Sequence, residues 1–188
     1  MRHTFETQNF MNDELSLIRR SRSGDHQAFR VLYETHVDGL YRFLKQFSKD
    51  HHDVEEWVQR TFIKAFERLD SFQGRSRFSS WIFSIGLNEM RSDRRRTTIL
   101  QFEPVEMGAD ISLDDTADTL QWNELMKDWL AQLDEMKRAV FLLHEVEGYS
   151  HSEIAGMLNI QESTSRTILT RTKQWLRDQW NRERKEAG

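Results

Sequence analysis

The stretch "GYSHSEIAGMLNIQESTSRTILTRTKQWLRDQW" occupies residues 148–180. Gly148 breaks the preceding helical period, and Ser150 followed three residues later by Glu153 is a capping box that opens a short helix. Asn159 stands where that helix must end, and Asn enters the left-handed conformation more readily than most residues. Ser163 or Thr164 then caps a longer helix carrying Ile168, Leu169, Trp175, Leu176 and Trp180. Ala155 is small, as a close crossing of two helices requires. Ile154, Leu158, Ile160, Ile168 and Leu169 bury the crossing. The pattern is a helix-turn-helix whose outward residues are Ser163, Thr164, Arg166, Thr167, Thr170, Arg171 and Lys173. Short hydroxyls and cations bond base edges and phosphates. A plain αα-hairpin with a solvated face carries the same pattern, so this stretch alone leaves both readings open.

Upstream, Leu120–Leu133 and Met136–Val146 are helical in period. From Thr97 to Met126 there is no Lys or Arg, while Glu103, Glu106, Asp110, Asp114, Asp115, Asp118 and Glu124 accumulate around the single proline, Pro104. Residues 97–118 are expected to be an acidic linker. Before it, a short helix near Glu14–Arg20 precedes an apolar stripe of Phe29, Leu32, Tyr33, Val37, Leu40, Tyr41, Leu44 and Phe47. A further helix is expected from Asp53, which with Glu56 resembles a capping box; its stripe is Val54, Trp57, Val58, Phe62, Ala65, Phe66 and Leu69. Another is expected from about Ser79 to Arg94. No alternating β pattern occurs. The expectation is an all-α chain of two small helical domains, residues 1–96 and 119–188, joined by the linker.

The chain of 188 residues carries 27 Lys+Arg against 31 Asp+Glu, yet residues 72–96, "FQGRSRFSSWIFSIGLNEMRSDRRR", hold six Arg against two acids, together with three Phe and Trp81. Aromatics among arginines suit single strands, where bases stack and cations follow phosphates. Trp81, Ile82, Phe83 and Ile85 also suit a buried helix face, and Arg94–Arg96 a solvated helix end. There is no cysteine, hence no disulfide or thiolate metal site. No apolar run approaches the roughly 18 residues that a membrane span needs. "HEVEG" at residues 144–148 lacks a second His, and His51 and His52 are adjacent and cannot both face one ion from a regular helix. No phosphate loop or nucleophile elbow is present. A soluble cytoplasmic protein without metal or cofactor, not an enzyme, is expected.

Three ordered blocks then carry a resemblance. "GDHQAFRVLYETHVDGLYRFL", "VEEWVQRTFIKAFERLDSFQGRSRFSSWIFSIGLNEM" and "LDEMKRAVFLLHEVEGYSHSEIAGMLNIQESTSRTILTRTKQWL" resemble the extracytoplasmic-function sigma factors of the bacterial sigma-70 family. The resemblance implies a factor that binds RNA polymerase core and directs promoter recognition, melting and transcription initiation. Core binding is implied for Glu56, Val58, Gln59, Thr61 and Phe62. The minus-ten element is implied for Gly74, Arg75, Ser76, Arg77, Phe78, Trp81, Asn88, Arg91, Arg94 and Arg95, and the minus-thirty-five element for the seven outward residues of the last helix. Promoter DNA, polymerase core and an anti-sigma factor are the implied partners, with no stable membrane insertion. The chain departs from the family pattern at Arg60, where a carboxylate is usual, at Leu87 and Ser92 (usually Arg and Asp), and at Asp134, Asn159, Gln161, Ser165 and Ile168. A stand-alone helix-turn-helix regulator and a helical protein-binding adaptor are the rival readings. The first leaves the Val58-Gln59-Thr61-Phe62 match unexplained, and the second leaves the recognition-helix cations unexplained.

Overall fold

The computed structural model describes residues 13–100 and 117–186, with side chains described for 13–96 and 125–185. Helix α1 covers residues 13–22, α2 His26–Lys45 and α3 His51–Glu67; a 3-10 turn at Leu69–Ser71 precedes α4, Phe78–Leu100. Then come α5 Ala117–Gln132, α6 Glu135–Phe141 running on into a π-turn at Leu142–Val146, α7 His151–Leu158 and α8 Glu162–Glu186. Among the described residues there is no strand, and the fold is all-α. Of the acidic span expected at 97–118, residues 101–116 lie outside the described residues; helix occupies its two ends, to Leu100 and from Ala117.

The described residues form two compact units. The first comprises 13–44 and 51–100. Its core is built from Leu32, Leu40, Phe43 and Leu44 of α2, Val54, Trp57 and Ala65 of α3, and Ile82, Leu87 and Met90 of α4, all at most 2% exposed. Leu87 is therefore a core residue, which accounts for an apolar side chain where the family has Arg. Gly86 sets the closeness of this packing: a Cβ there would lie 2.9 Å from Leu40 Cδ1 and 3.4 Å from Thr61 Oγ1. Asp25 caps α2, its Oδ1 accepting from the N–H of Gln27 (3.0 Å) and of Ala28 (3.1 Å). The Arg20 side chain, followed by the Ala28 N–H, holds the Asp25 carboxyl below its ordinary pKa. Helix α3 starts at His51, so Asp53 sits in its first turn rather than at the cap expected for it. A carboxylate there still faces the positive end of the helix dipole.

The second unit comprises Lys45–Asp50 and 117–186. Arg138 is fully buried in it. Its guanidinium donates to the carbonyls of Gln46 (2.8 Å), Ala131 (2.7 Å) and Leu133 (3.3 Å) and lies 5.8 Å from the centroid of the buried Phe47 ring. These carbonyl dipoles solvate part of the buried charge. Asp134 caps α6 by accepting from the Lys137 N–H at 2.9 Å, so the replacement of the family's proline supplies a helix cap. The Ser150–Glu153 capping box is present in both directions, and Asn159 has φ 53 and ψ 50, the left-handed conformation usual for glycine. That turn is tight, with Ile160 N–H bonded to Ala155 O at 3.0 Å. Helix α8 consequently starts at Glu162, placing Ser163 and Thr164 in its first turn rather than at the cap.

Candidate functional site

Three surfaces carry the residues singled out from the sequence. The first is an open groove of about 1130 Å³ between α2 and α3, lined among others by Phe29, Tyr33, Val37, Val58, Gln59 and Phe62. The apolar stripes of both helices are wider than a single core contact needs, and the surplus is left in water: Tyr33, Ile63 and Phe66 are 40%, 51% and 42% exposed. Phe66 packs edge-on against Phe29 at 4.9 Å and Tyr33 against Phe62 at 4.7 Å, so the groove wall is aromatic and held in place. Its rim is acidic, with Glu55, Glu56 and Glu67. Of the residues implied for core binding, Glu56, Val58, Gln59 and Phe62 line this groove, and Thr61 does not. Thr61 is buried and its hydroxyl donates to Trp57 O at 2.6 Å. Tyr33, Ile63 and Phe66 were not among the residues expected at a binding surface. Tyr33 and Phe66 fit an inward stripe as well as an outward one, and Ile63 fell outside the stripe.

Arg60, the reversed charge in this segment, points toward α4. Its NH1 donates to Asp93 Oδ1 at 3.1 Å, and its NH2 bonds Glu56 one turn back. The other Asp93 oxygen accepts from the Trp57 indole N–H at 3.1 Å. Two departures from the family pattern, Arg60 and the aspartate displaced from 92 to 93, therefore meet in one ion pair. Lys64 pairs with the buried Glu89 one turn further along. Burial works against the Arg60 charge, but Asp93 and Glu56 outweigh it and raise its pKa.

The second surface is the segment between the 3-10 turn and α4. Gly74 has φ +67, and Arg75, Ser76 and Arg77 are exposed. Phe78 is 1% exposed and packs against Phe72 (5.4 Å) and Trp81 (5.6 Å), so it anchors the segment and offers no surface to a ligand. On α4, Trp81, Asn88, Arg91 and Arg95 recur at helical spacing on one face, with Asn88 and Arg95 exposed and the other two half-buried. Arg94 falls on another side, its guanidinium 5.9 Å from the centroid of the Trp57 ring.

The third surface is α8. Ser163, Thr164, Arg166, Thr167, Thr170 and Arg171 are exposed together, while Ser165, Leu169 and Thr172 turn inward. Arg166 bonds Glu162 one turn back. Lys173 is half-buried, and its ammonium donates to both oxygens of Glu145 at 3.1 and 3.0 Å. Burial raises the Glu145 pKa, but the hydrogen bonds from Lys173 and His144 outweigh it and hold the carboxyl low. Ser165, in a place where the family has Val, is fully buried, with Oγ 2.9 Å from His151 Nδ1. The His151 ring stacks on His144 at 4.5 Å. Burial, the neighbouring His144 and Arg166 together hold His151 below its ordinary pKa. Among the described residues no group of His, Cys, Asp or Glu is arranged to hold a metal ion, and no helix is long and apolar enough to cross a membrane.

Apart from Phe29, these surfaces fall within two segments that match known families: residues 32–98 match sigma-70 region 2, and residues 124–176 match sigma-70 region 4. The RNA polymerase sigma factor NccH of Alcaligenes xylosoxydans xylosoxydans is 30% identical over 167 residues, covering 84% of this chain and 89% of that protein. The ECF RNA polymerase sigma-E factor of Escherichia coli is 26% identical over 180 residues, 87% of this chain and 94% of that one. Among solved structures, the sigma factor RpoE of Bartonella quintana, crystallised with the anti-sigma factor NepR, matches with TM-score 0.69 and 25% identity over 80% of this chain and 94% of that one. The chain belongs to the extracytoplasmic-function sigma factors of the sigma-70 family, which are transcription initiation factors and not enzymes.

Proposed function

We propose that this alternative sigma factor docks on RNA polymerase core through the α2–α3 groove, opens promoters with residues 73–77 and the Trp81 face of α4, and reads the minus-thirty-five element with α8. The observation that carries the reading is the groove: an aromatic surface with Ile63 and Phe66 in water lies at the matched signature Val58-Gln59-Thr61-Phe62. Apolar surface of this kind is characteristic of a site that a partner covers. Exposed Arg75 and Arg77 beside a half-buried Trp81 offer phosphate contacts and a stacking plane to an unpaired strand. Stacking in a pocket offsets part of the cost of unpairing a base. The hydroxyls and cations of α8 have the chemistry of major-groove and phosphate contacts. Polymerase core, promoter DNA and, by likeness to the RpoE–NepR complex, an anti-sigma protein are the partners, all met in the cytoplasm.

The test is run-off transcription by core polymerase with and without the full chain, on promoters selected from a random-sequence library by the reconstituted holoenzyme. Discrete transcripts that require the chain are expected. Failure of the chain to co-elute with core, or an identical transcript pattern without it, would falsify the reading.

A further inference from the structure

We propose that Arg22, on helix α1, is a positioning residue for promoter opening: it clamps the backbone at the root of the 73–77 loop. Helix α1 lies outside the segment that matches sigma-70 region 2, which begins at residue 32. The helix is nonetheless fixed to its unit. Ile18 is 2% exposed, Glu14 Oε1 lies 2.9 Å from His36 Nε2, and the His36 ring stands 5.5 Å from that of Phe78. Gly24, with φ +89, ends the turn after α1, and the Arg22 guanidinium is directed at the chain some fifty residues later.

Arg22 Nε and NH2 donate to the carbonyl of Leu69 at 3.2 and 3.1 Å, and NH2 also bonds the carbonyl of Phe72. Asp70 Oδ1, 4.0 Å from Nε, adds a weak ion pair. The two carbonyls bracket the 3-10 turn Leu69–Ser71, the last ordered turn before the loop. One guanidinium therefore holds both ends of that turn, and its planar fork adds a second bond to Leu69 O that the point charge of a Lys ammonium does not reproduce. The side chains on either end are sunk in the unit, Leu69 at 4% and Phe72 at 5% exposed, with Phe72 5.3 Å from the Trp81 ring. Helix α1 also backs the loop further on, since a Cβ at Gly74 would stand 3.9 Å from Leu15 Cδ2. Arg75, Ser76 and Arg77 are thus carried on a root held by α1 while they remain open to solvent. A loop held at its root loses less conformational freedom when it seizes a base, so its binding free energy goes further toward unpairing.

The inference rests on the reading of residues 73–77 as a single-strand capture loop, and the experiment separates the two. Full-length Arg22→Ala and Arg22→Lys are compared with wild type and with an Arg75→Ala, Arg77→Ala double variant. The first readout is amide hydrogen exchange at Ser71 and Phe72, whose N–H groups bond Arg68 O and Leu69 O. The second is opening by the holoenzyme of a selected promoter, as a duplex and with the minus-ten element already mismatched. Exchange is expected to rise about tenfold in Arg22→Ala, the factor that corresponds to loss of a charge-assisted hydrogen bond. Arg22→Lys should fall between. Duplex opening should drop in the same order, with recovery on mismatched DNA. Unchanged exchange in Arg22→Ala overturns the clamp, as does raised exchange with undiminished duplex opening. If the Arg75, Arg77 double variant opens duplex DNA as well as wild type, the loop reading fails and the clamp falls with it.

Discussion

At the scale of single residues, the groove sets which substitutions report on function rather than on folding. Phe62 is only 5% exposed and holds Tyr33, so its truncation would damage the unit as well as any interface. Gln59 and Phe66 are the cleaner probes, since both are exposed. Gln59→Ala with Phe66→Ala is expected to weaken core binding by about 2 kcal/mol or more, roughly thirtyfold, with only a small fall in melting temperature from the lost Phe66–Phe29 contact. Fluorescence titration with purified core decides it; wild-type affinity would remove the groove from the docking site. The Arg60–Asp93 pair invites a double-mutant cycle, because the two residues are 30% and 20% exposed and each keeps a further partner, Glu56 for Arg60 and Trp57 for Asp93. A coupling of about 1 kcal/mol in thermal stability is expected. Strict additivity would show that the two departures from the family pattern meet by accident. His151 supplies a pH dependence. It faces Ser165, Glu162 and Arg166 of α8 as well as His144 and Glu145, and its folded pKa lies below the ordinary 6.5. The unfolded chain therefore binds the proton more readily. The contribution of His151 is complete above pH 6.5 and is lost as pH falls through its lowered folded value. Calorimetry from neutral pH down to about pH 5.5 should show the melting temperature falling, and falling less in His151→Gln.

At the scale of elements, α8 combines a promise and a restraint. Lys173 has the charge for a phosphate contact, but Glu145 holds it with both oxygens. Releasing it by Glu145→Gln should tighten DNA binding and steepen the salt slope by about one unit, as one added phosphate contact does. An unchanged slope across a potassium chloride titration would mean that Lys173 stays off the backbone. Arg166 lies one turn into α8, in the N-terminal part of a recognition helix that enters the groove. Arg166→Ala is expected to relax sequence preference at one base pair, worth roughly 1–3 kcal/mol, when active minus-thirty-five variants are selected against it. How much of this was legible in sequence differs by element. The α7–turn–α8 unit was readable because its punctuation is local: the capping box and Asn159 act within three or four residues. The caps of α3 and α8 were misplaced by two or three residues because several polar side chains close together can cap, and tertiary packing selects among them. The outward wall of the groove was hidden because periodicity marks an apolar stripe without saying how wide a stripe its neighbours cover. Arg22 was invisible for another reason: its acceptors are backbone carbonyls, which leave no trace in residue type.

At the scale of the molecule, Lys45–Asp50 has to be counted with the second unit. A fragment of residues 119–188 lacks Phe47 and the Gln46 carbonyl, both of which meet Arg138 in the full chain. It should be less stable than the same helices in the intact protein, by about 3 kcal/mol for the lost aromatic burial, or some 10 °C or more in melting temperature for a domain of that size. Equal melting of fragment and intact unit would show that Arg138 finds other acceptors at no cost. The same arrangement constrains the chain while it is being made. Gln46 and Arg138 are 92 positions apart. At about 5–20 residues per second, the ribosome takes roughly 5–20 s to deliver the second after the first. Throughout that interval Phe47 stands without the arginine it will meet. A chain broken off before Arg138 leaves the Gln46 carbonyl and the Phe47 ring without the guanidinium that both meet in the finished protein.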